Sequence, residues 1–368
     1  MSPRTPDRRI VGTIEGQPVE AFRLSGGETE LEVIGFGAIL TRLTRPDRHG
    51  VVEDIVLGYD DPADYVAMPG NAGAICGRHA NRLAEGRFEL DGRVIQLACN
   101  SGAHHLHGGA RGFGKRFWSG HPDPSANAVE FRLESPDGDE GYPGALAASV
   151  TYSVLPGGAV SIVMRAEADR RTIVNLVHHG YWNLAGHASG NVLEQRLQIE
   201  ADRYTPVTPD KIPTGEIVPV DGGPFDFRRA KAIGADIAKA WIDGGYDHNW
   251  CLNEPATGLR RCASALDARS GRRLELHSNQ PGLQFYTANH YGLASARGKD
   301  GAIYEKFAGF ALETQAYPNA PNCPGFPSVV LAAGEPYHHE MLIVFPDAGA
   351  RESVREAVAP GAASGSIP

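Results

Sequence analysis

Histidine is the residue type whose number and spacing most strongly suggest chemistry in this sequence. The chain has 14 histidines, and the dense groups are His104, His105 and His107; His178 and His179; and His338 and His339. Imidazole transfers protons near neutral pH and also binds metal ions, so both roles are open. The groups lie far apart, and no HxxxH pair has a downstream ligand set. A histidine-rich metalloenzyme is therefore the lowest-ranked interpretation.

The first two histidine groups lie in segments that could hold a ligand. Residues 100–109 (NSGAHHLHGG) are a polar loop in the simplest interpretation, but the two glycines would let the backbone approach a ligand or metal closely. Residues 175–185 (NLVHHGYWNLA) combine imidazoles, amides and aromatic rings. One interpretation is a buried core histidine beside Trp182. The other is a sugar site, in which the ring of Trp182 stacks on a pyranose while Asn and His side chains form hydrogen bonds.

Glu313 is the carboxylate most suited to act as a base. It follows Phe310, Ala311 and Leu312, which should be part of a strand. Apolar neighbours would remove water from the carboxylate and raise its pKa toward the range useful for general base catalysis. The alternative is a salt-bridged or edge-facing glutamate.

Other polar groups carry weaker signals. Arg78 and Arg82 could clamp a hydroxyl or carboxylate, or could form surface ion pairs. Residues 245–249 (GYDHN) and 284–289 (QFYTAN) could hold hydroxyls or be structural. His338 and His339 are expected to be exposed near a sheet edge.

The elements that position these residues should be mostly strands. Apolar residues alternate with polar ones at Val150, Tyr152 and Val154, and the 45 Gly and 26 Pro provide frequent turns. A hairpin is expected at Asp91-Gly92, and a helix over 229–241. We predict one all-β domain over 1–368, a large antiparallel β-sandwich with few short helices, flexible ends at 1–9 and 357–368, and chemistry on long loops.

Composition excludes several classes of function. The 35 Lys+Arg and 44 Asp+Glu give a net charge of -9, which argues against nucleic-acid and anionic-membrane partners. There is no apolar run long enough to span a membrane and no secretory signal at the start. The five cysteines are scattered without a CxxC pair, as is typical of reduced thiols, so we expect a cytoplasmic protein.

An ordered set of motifs from about Asp60 to Phe345 resembles the aldose 1-epimerase (galactose mutarotase) family. Each motif is weak alone, whereas the ordered set is specific. The motifs are GRHANRLAEGRFELDG (77–92), LHGGARGF (106–113), DGDEGYPG (137–144), NLVHHGYWNLAG (175–186), YTPV, IPTGE and PFDFR within 204–228, GYDHN (245–249), LQFYTAN (283–289) and LETQAYPNAPN (312–322).

The resemblance implies a supersandwich with its site in an open groove, a free aldose as small-molecule substrate, and no cofactor or metal. It implies Glu313 as catalytic base and His179 as catalytic acid. It implies five substrate-binding positions: Asn81, Arg82, His107, Asp247 and Gln284. Residues 175–185 add His178 and Trp182 as two further candidates. We expect a monomer or homodimer.

Four positions depart from the family pattern. The family usually has Asn at His178 and Asp at Asn319, a small hydroxyl residue is common at Gly180, and Asp is frequent at Gly114. None of these changes removes the proposed acid or base. They bear on sugar preference, and His178 could tune His179 or contact the substrate.

The chemistry of anomer exchange fits these residues independently of the resemblance. A base removes the proton from the anomeric hydroxyl, an acid protonates the ring oxygen, and the open chain rotates before it closes again. A partly desolvated Glu313 and a protonated His179 would meet that need at neutral pH. A non-catalytic sugar-binding protein would not need this pair. A glycoside hydrolase would normally need a second carboxylate, and a phosphorylated sugar would need an Arg or Lys cluster.

Overall fold

The computed structural model describes residues 6–68, 70–240, 243–253, 258–292 and 297–346. These residues form strands, one four-residue α-helix, α1 (Asp64–Ala67), and six 3₁₀ helices. The 3₁₀ helices are Ala84–Gly86, Phe113–Lys115, Asp139–Gly141, Ile233–Lys239, Lys299–Gly301 and Ala320–Asn322. The strands are β1 (Asp7–Ile14), β2 (Gln17–Gly26), β3 (Thr29–Ile34), β4 (Ile39–Pro46), β5 (Val52–Asp54), β6 (Ile75–Cys76), β7 (Arg82–Leu83), β8 (Arg87–Leu90), β9 (Arg93–Gln96), β10 (His105–Leu106), β11 (Ser119–Asp123), β12 (Ala128–Ser135), β13 (Leu146–Val154), β14 (Val160–Ala168), β15 (Thr172–Ile173), β16 (Val177–His178), β17 (Tyr181–Trp182), β18 (Arg196–Ile199), β19 (Arg203–Thr205), β20 (Val218–Pro219), β21 (Lys231–Ala232), β22 (Asp247–Cys251), β23 (Arg260–Leu266), β24 (Arg273–Ser278), β25 (Gly282–Tyr286), β26 (Phe310–Gln315), β27 (Val330–Leu331) and β28 (Tyr337–Val344).

Three sheets make up most of the architecture. The largest has the order β11-β12-β13-β14-β28-β24-β23-β18-β21, the second β17-β26-β25-β22-β19-β20, and the third β1-β2-β3-β4-β5. The ladders within these sheets are antiparallel. The predicted all-β class is therefore confirmed.

The core lies between the nine-stranded and six-stranded sheets. Phe285 of β25 and Leu312 of β26 belong to the same buried cluster as Leu276 of β24 and Ile343 of β28. That cluster also includes Phe22 of the five-stranded sheet, so one core joins all three sheets. Side chains alternate along a strand, so the six-stranded sheet has a core face and an opposite face.

Strand β26 shows this alternation most clearly, since all six of its residues are buried. Phe310 and Leu312 face the core, and the hydroxyl of Thr314 lies 2.8 Å from Nε2 of His339. Ala311, Glu313 and Gln315 must therefore point to the opposite face. This is the face on which the candidate site lies.

Two local predictions can be compared with the structure. The hairpin is confirmed: β8 pairs with β9 around Asp91 and Gly92, whose φ values are 53° and 72°. The helix expected over 229–241 is shorter and tighter, a 3₁₀ helix over Ile233–Lys239. The predicted start of the helix was wrong because Lys231–Ala232 forms strand β21, which pairs with β18. Trp241, at the predicted end, lies outside the described residues.

The third histidine group was wrongly expected at an exposed edge. His339 is fully buried in β28, which lies at the middle of the nine-stranded sheet. Alternation directs its ring inward, where Nδ1 lies 2.9 Å from the carbonyl oxygen of Leu176. Only His338 is exposed.

The expected flexible ends fall mostly outside the described residues. Residues 1–5 and 357–368 are not among them. The expectation of a flexible segment over 1–9 was wrong for residues 7–9, because Asp7 already pairs with Arg23 in the ladder between β1 and β2.

Candidate active site

The floor of the candidate site is the outer face of the six-stranded sheet. The register sets Asn249, Gln284 and Glu313 in one row across β22, β25 and β26. The next row contains Asp247 and Tyr286. The expectation that long loops carry the chemistry is corrected here, since Glu313 and Asp247 are held by strands.

The same ladder places His179 opposite Glu313. Tyr181 of β17 pairs with Ala311 of β26 in an antiparallel register, and a step of two residues along each strand brings His179 level with Glu313. The atoms Nε2 of His179 and Oε1 of Glu313 are 3.5 Å apart. The backbone N–H of His179 also donates to the carbonyl oxygen of Ala74 at 2.9 Å, which fixes the position of this residue.

Burial controls the proton on this pair. It lowers the pKa of His179 to about 4 and, with the nearby charge of Asp247, raises the pKa of Glu313 well above its ordinary value. Both shifts favour the proton on Glu313 over the proton on His179, in contrast to the protonated His179 expected from the sequence. One proton on the pair leaves it without net charge, which avoids burial of an isolated ion.

The pair opens onto a cavity of about 220 Å³. Six of the predicted site residues line it, together with groups that the sequence analysis did not select. The lining residues are Gly70, Asn71, Asn81, Arg82, Leu106, His107, His179, Tyr181, Lys211, Asp247, Tyr286, His290 and Glu313. The pocket thus combines an acid–base pair with aromatic rings and both signs of charge, a lining suited to a polar sugar.

Two loop residues with positive φ bring His107 and Arg82 into the pocket. The φ values are 63° for Asn81 and 51° for His107. The backbone N–H of Asn81 donates to Nδ1 of His107 at 3.2 Å, so the ring proton of neutral His107 must be on Nε2. Nη1 of Arg82 lies 3.7 Å from Oδ2 of Asp247. His107 therefore offers the pocket a donor, and Arg82 is held beside a carboxylate.

Asn319 stabilises this segment from behind. Its backbone N–H donates to the carbonyl oxygen of Arg82 at 2.9 Å, and its side-chain oxygen accepts from the N–H of Ala84 at 3.0 Å. Its φ is 59°, a conformation that asparagine tolerates well. This departure from the family pattern therefore supports Arg82 and does not line the pocket.

Three other predicted site residues lie outside the pocket lining. Trp182 is in the main core and His178 is 1% exposed, with its ring 6.1 Å from that of Tyr152. Both point away from the pocket because they alternate with His179 and Tyr181. Gln284 is on the floor but is buried beside the cavity, and its Nε2 donates to Oδ1 of Asp247 at 2.7 Å. We therefore correct the expectation that Trp182 and His178 contact substrate.

The departures at His178 and Gly180 have a common physical reason. A Cβ atom on Gly180 would lie 2.6 Å from Cε1 of His178, closer than real contacts allow. The imidazole occupies the space that a small hydroxyl side chain would need. Both departures therefore alter the packing behind His179.

Seven pocket residues were not among the predicted site residues, and four of them carry titratable side chains: Tyr181, Lys211, Tyr286 and His290. Tyr181 and Tyr286 could have been found by alternation, since they lie two residues from His179 and Gln284. Lys211 sits in a turn, where it forms an ion pair with Asp243 and lies 4.0 Å from Asp247. No sequence pattern identified Lys211 or His290.

The pocket also has the only potential metal-ligand group within the described residues. Ligand atoms of His107, His179 and Glu313 lie within 4.8 Å of one another. Three ligands would suit an open metal site. However, Nδ1 of His107 accepts a hydrogen bond from the N–H of Asn81, so the proton of the neutral ring is on Nε2. Neither nitrogen of His107 is then available to bind a metal ion.

His104 and His105 do not line this pocket. Nδ1 of His104 accepts from the N–H of Glu85 at 3.1 Å, and Nε2 of His105 lies 2.7 Å from the hydroxyl of Tyr142.

Arg78 has a structural role and is neither a ligand clamp nor part of a surface ion pair. It is 1% exposed, and its guanidinium donates to the carbonyl oxygens of Ser135 at 3.1 Å and Gly144 at 2.7 Å. It therefore ties together loops next to the pocket without lining it.

A larger cavity of about 460 Å³ lies against the five-stranded sheet. Its charged groups largely neutralise one another: Arg9 lies 2.7 Å from Glu32, and Lys299 lies 2.6 Å from the buried carboxylate of Asp54. Histidine is absent from its described lining. Because an acid–base pair is needed for catalysis, we favour the smaller pocket despite its size.

Comparisons with known proteins agree on one family. A family model described as aldose 1-epimerase matches residues 20–344. Galactose mutarotase of Sus scrofa is 45% identical over 327 residues, which cover 89% of this chain and 94% of the relative. Galactose mutarotase of Homo sapiens is 44% identical over 330 residues, 90% of this chain and 95% of the relative. The solved GalM/aldose epimerase homologue of C. elegans has a TM-score of 0.81 at 29% identity and covers 88% of this chain and 98% of its own.

Proposed function

This chain belongs to the aldose 1-epimerase family and is a mutarotase, and we propose that Glu313 and His179 carry its proton transfers on galactose or glucose. The observation that carries the assignment is the 3.5 Å separation of Nε2 of His179 and Oε1 of Glu313 on the floor of the pocket. The named relatives act on galactose by their description, which supports a hexose of this kind as substrate.

The reaction needs one group with a proton and one without. The unprotonated group takes the proton of the anomeric hydroxyl while the other gives a proton to the ring oxygen, and the bond between C1 and the ring oxygen breaks. Rotation about C1–C2 exposes the other carbonyl face. Attack by the former ring oxygen then closes the ring, and both protons return.

The roles implied by the family place the proton on His179, whereas the pKa shifts caused by burial favour the proton on Glu313. The transfer conserves the single proton of the pair. Sugar hydroxyls that donate hydrogen bonds to Glu313 would favour its ionised form and so the passage of the proton to His179. Catalysis in the opposite direction exchanges the two roles, so a shared proton serves both anomers.

The remaining groups should orient a neutral sugar. Arg82 and the Nε2–H of His107 would stabilise charge on the reacting oxygens. Arg82 is compensated by Asp247, and Lys211 by Asp243. The pocket thus has little excess positive charge for a phosphate, and we propose an unphosphorylated aldose.

The proposal is tested by polarimetry on freshly dissolved α-galactose. Glu313→Gln and His179→Gln should each lower kcat by about 10²- to 10⁴-fold, the range of one general acid–base contribution. Sugar binding, measured by calorimetry, should persist. His339→Gln is the matched control, since it changes a buried histidine on the core side. Normal turnover in both pocket variants would disprove the assignment, and binding without turnover in the wild type would favour a non-catalytic sugar-binding protein.

We also propose that the chain acts as one domain, as a monomer or homodimer, in the cytoplasm. All five cysteines are free, which supports a reducing compartment. Among the described residues, no helix is long and apolar enough to cross a membrane. Size-exclusion chromatography with light scattering would determine the oligomeric state.

A further inference from the structure

A chain of buried amide side chains lies next to the cavity and includes Gln284 and Gln315 from the outer face of the six-stranded sheet. Oδ1 of Asn81 accepts from the backbone N–H of Arg82 at 2.8 Å, and Nδ2 of Asn81 donates to Oε1 of Gln315 at 3.5 Å. Nε2 of Gln315 donates to Oε1 of Gln284 at 3.3 Å. Nε2 of Gln284 then donates to Oδ1 of Asp247 at 2.7 Å.

Both ends of this chain impose the same direction on it. A backbone N–H can only donate, so Asn81 must present its oxygen to Arg82 and its NH₂ group to Gln315. A carboxylate can only accept, so Gln284 must present its NH₂ group to Asp247 and its oxygen to Gln315. Gln315 is the residue at which the two requirements meet, and its oxygen and NH₂ group satisfy both.

The surroundings of Gln315 are built for this position. Gln315 is fully buried, and its Nε2 also donates to Oδ1 of Asn249 at 3.1 Å. Gly282 lies opposite Gln315 in the ladder, and a Cβ atom there would lie 2.5 Å from Oδ1 of Asn249. The missing side chain thus leaves room for the amide contact. Gln315 does not line the cavity, so it can act only through its neighbours.

We propose that Gln315 is a positioning residue, which fixes Gln284 as a donor to Asp247 and so holds that carboxylate between Arg82 and the substrate. This inference rests on the proposed function of the pocket. Without Gln315, the Gln284 amide could rotate and turn its oxygen toward Asp247. Substrate orientation would then suffer although the acid–base pair is intact.

Two variants separate this role from simple packing. Gln315→Met keeps the length of the side chain and removes all its hydrogen bonds, so KM should rise about 10- to 100-fold with a smaller change in kcat. Gln315→Glu is nearly isosteric. When protonated it offers one donor and one acceptor, as the chain requires, but its ionised form only accepts.

The pH dependence of Gln315→Glu is the decisive measurement. We expect kcat/KM close to that of the wild type at the acid end of the stable pH range, and a fall of about tenfold or more as the buried carboxyl ionises. Thr314→Val is the control, because Thr314 is the buried neighbour on the core face and bonds to His339. It should change thermal stability and leave KM unaltered.

The side-chain amide protons of Gln284 give a readout that needs no turnover. In ¹⁵N–¹H NMR their resonances, identified by their loss in Gln284→Met, should shift in Gln315→Met and stay unchanged in Thr314→Val. Unaltered KM and amide resonances in Gln315→Met, or the same pH-independent loss of activity in Gln315→Met and Gln315→Glu, would overturn the inference. Failure of the wild type to accelerate mutarotation would instead overturn the proposed function. If Gln315→Met does not fold, Gln315→Glu carries the test.

Discussion

At the scale of single residues, environment decides which of two adjacent histidines lines the pocket. The apolar neighbours of Glu313 correctly predicted its burial and raised pKa. The family resemblance identified His179, which lies beside Glu313. His178 and Trp182 could not be placed in the same way, since β16 and β17 have only two residues each. Strands this short leave no periodic pattern from which to infer the buried face.

The lowered pKa of His179 predicts the acid limb of the pH profile. Because that pKa is about 4, kcat/KM should reach a plateau above about pH 5 and fall as the pH drops through about 4. Below that pH the pair holds two protons and lacks a base. The plateau ends at the higher pH at which Glu313, whose pKa is raised, loses the proton of the pair. Polarimetric rates, corrected for spontaneous mutarotation and checked by near-UV circular dichroism for folding, measure the limb. A midpoint near 6.5 would contradict a buried His179.

At the scale of elements, the turn after β10 decides whether His107 can meet Asn81. Gly108 has a φ of 86°, and a Cβ atom there would lie 1.7 Å from the carbonyl oxygen of Gly77. Gly108→Ala must therefore displace the turn that carries His107. We expect a fall in kcat/KM of about 100-fold, the effect of roughly 1 Å misplacement.

The control for Gly108→Ala is Gly92→Ala in the β8–β9 hairpin. Gly92 has a φ of 72°, and no atom lies within 4 Å of the added Cβ. This variant should lose about 1 kcal/mol of stability through backbone strain alone and keep its activity. Equal polarimetric rates for the two alanine variants would show that the turn does not position His107.

The hairpin and the pocket floor also show what the sequence can predict about elements. The dipeptide Asp91-Gly92 predicts a turn from the local sequence alone, because both residues tolerate positive φ. The pairing of β22, β25 and β26 brings Asp247 next to Glu313 from distant segments, and no local pattern specifies which strands become neighbours. The amide chain beside the cavity was missed for the same reason.

At the scale of the whole molecule, buried neutral histidines make the fold sensitive to acid. Burial lowers the pKa to about 3 for His79, His178 and His339, and to about 4 for His179 and His248. Below about pH 6.5 the unfolded chain takes up protons that the folded chain excludes. Glu313 works in the opposite direction, since its pKa is raised. The fold should therefore lose stability as pH falls.

Each histidine that is neutral in the folded chain and charged in the unfolded chain contributes about 1.4 kcal/mol per pH unit to the expected loss, which should be steepest between about pH 6 and 4. Urea midpoints at pH 7.5, 6 and 5 measure it. His339→Gln should reduce the slope by about one proton. Equal stability at pH 7.5 and 5 would refute the neutral state of these histidines.

The alternation along β26 has a consequence for folding fidelity. A slip of one residue against β25 would turn Glu313 toward Phe285 and Leu276 and would bring Leu312 or Thr314 to the sugar. A mispaired sheet would thus bury the carboxyl group of Glu313 among apolar side chains and would also remove it from the pocket. The carboxyl group that we propose as the catalytic base therefore also disfavours incorrect pairing of the sheet that carries it.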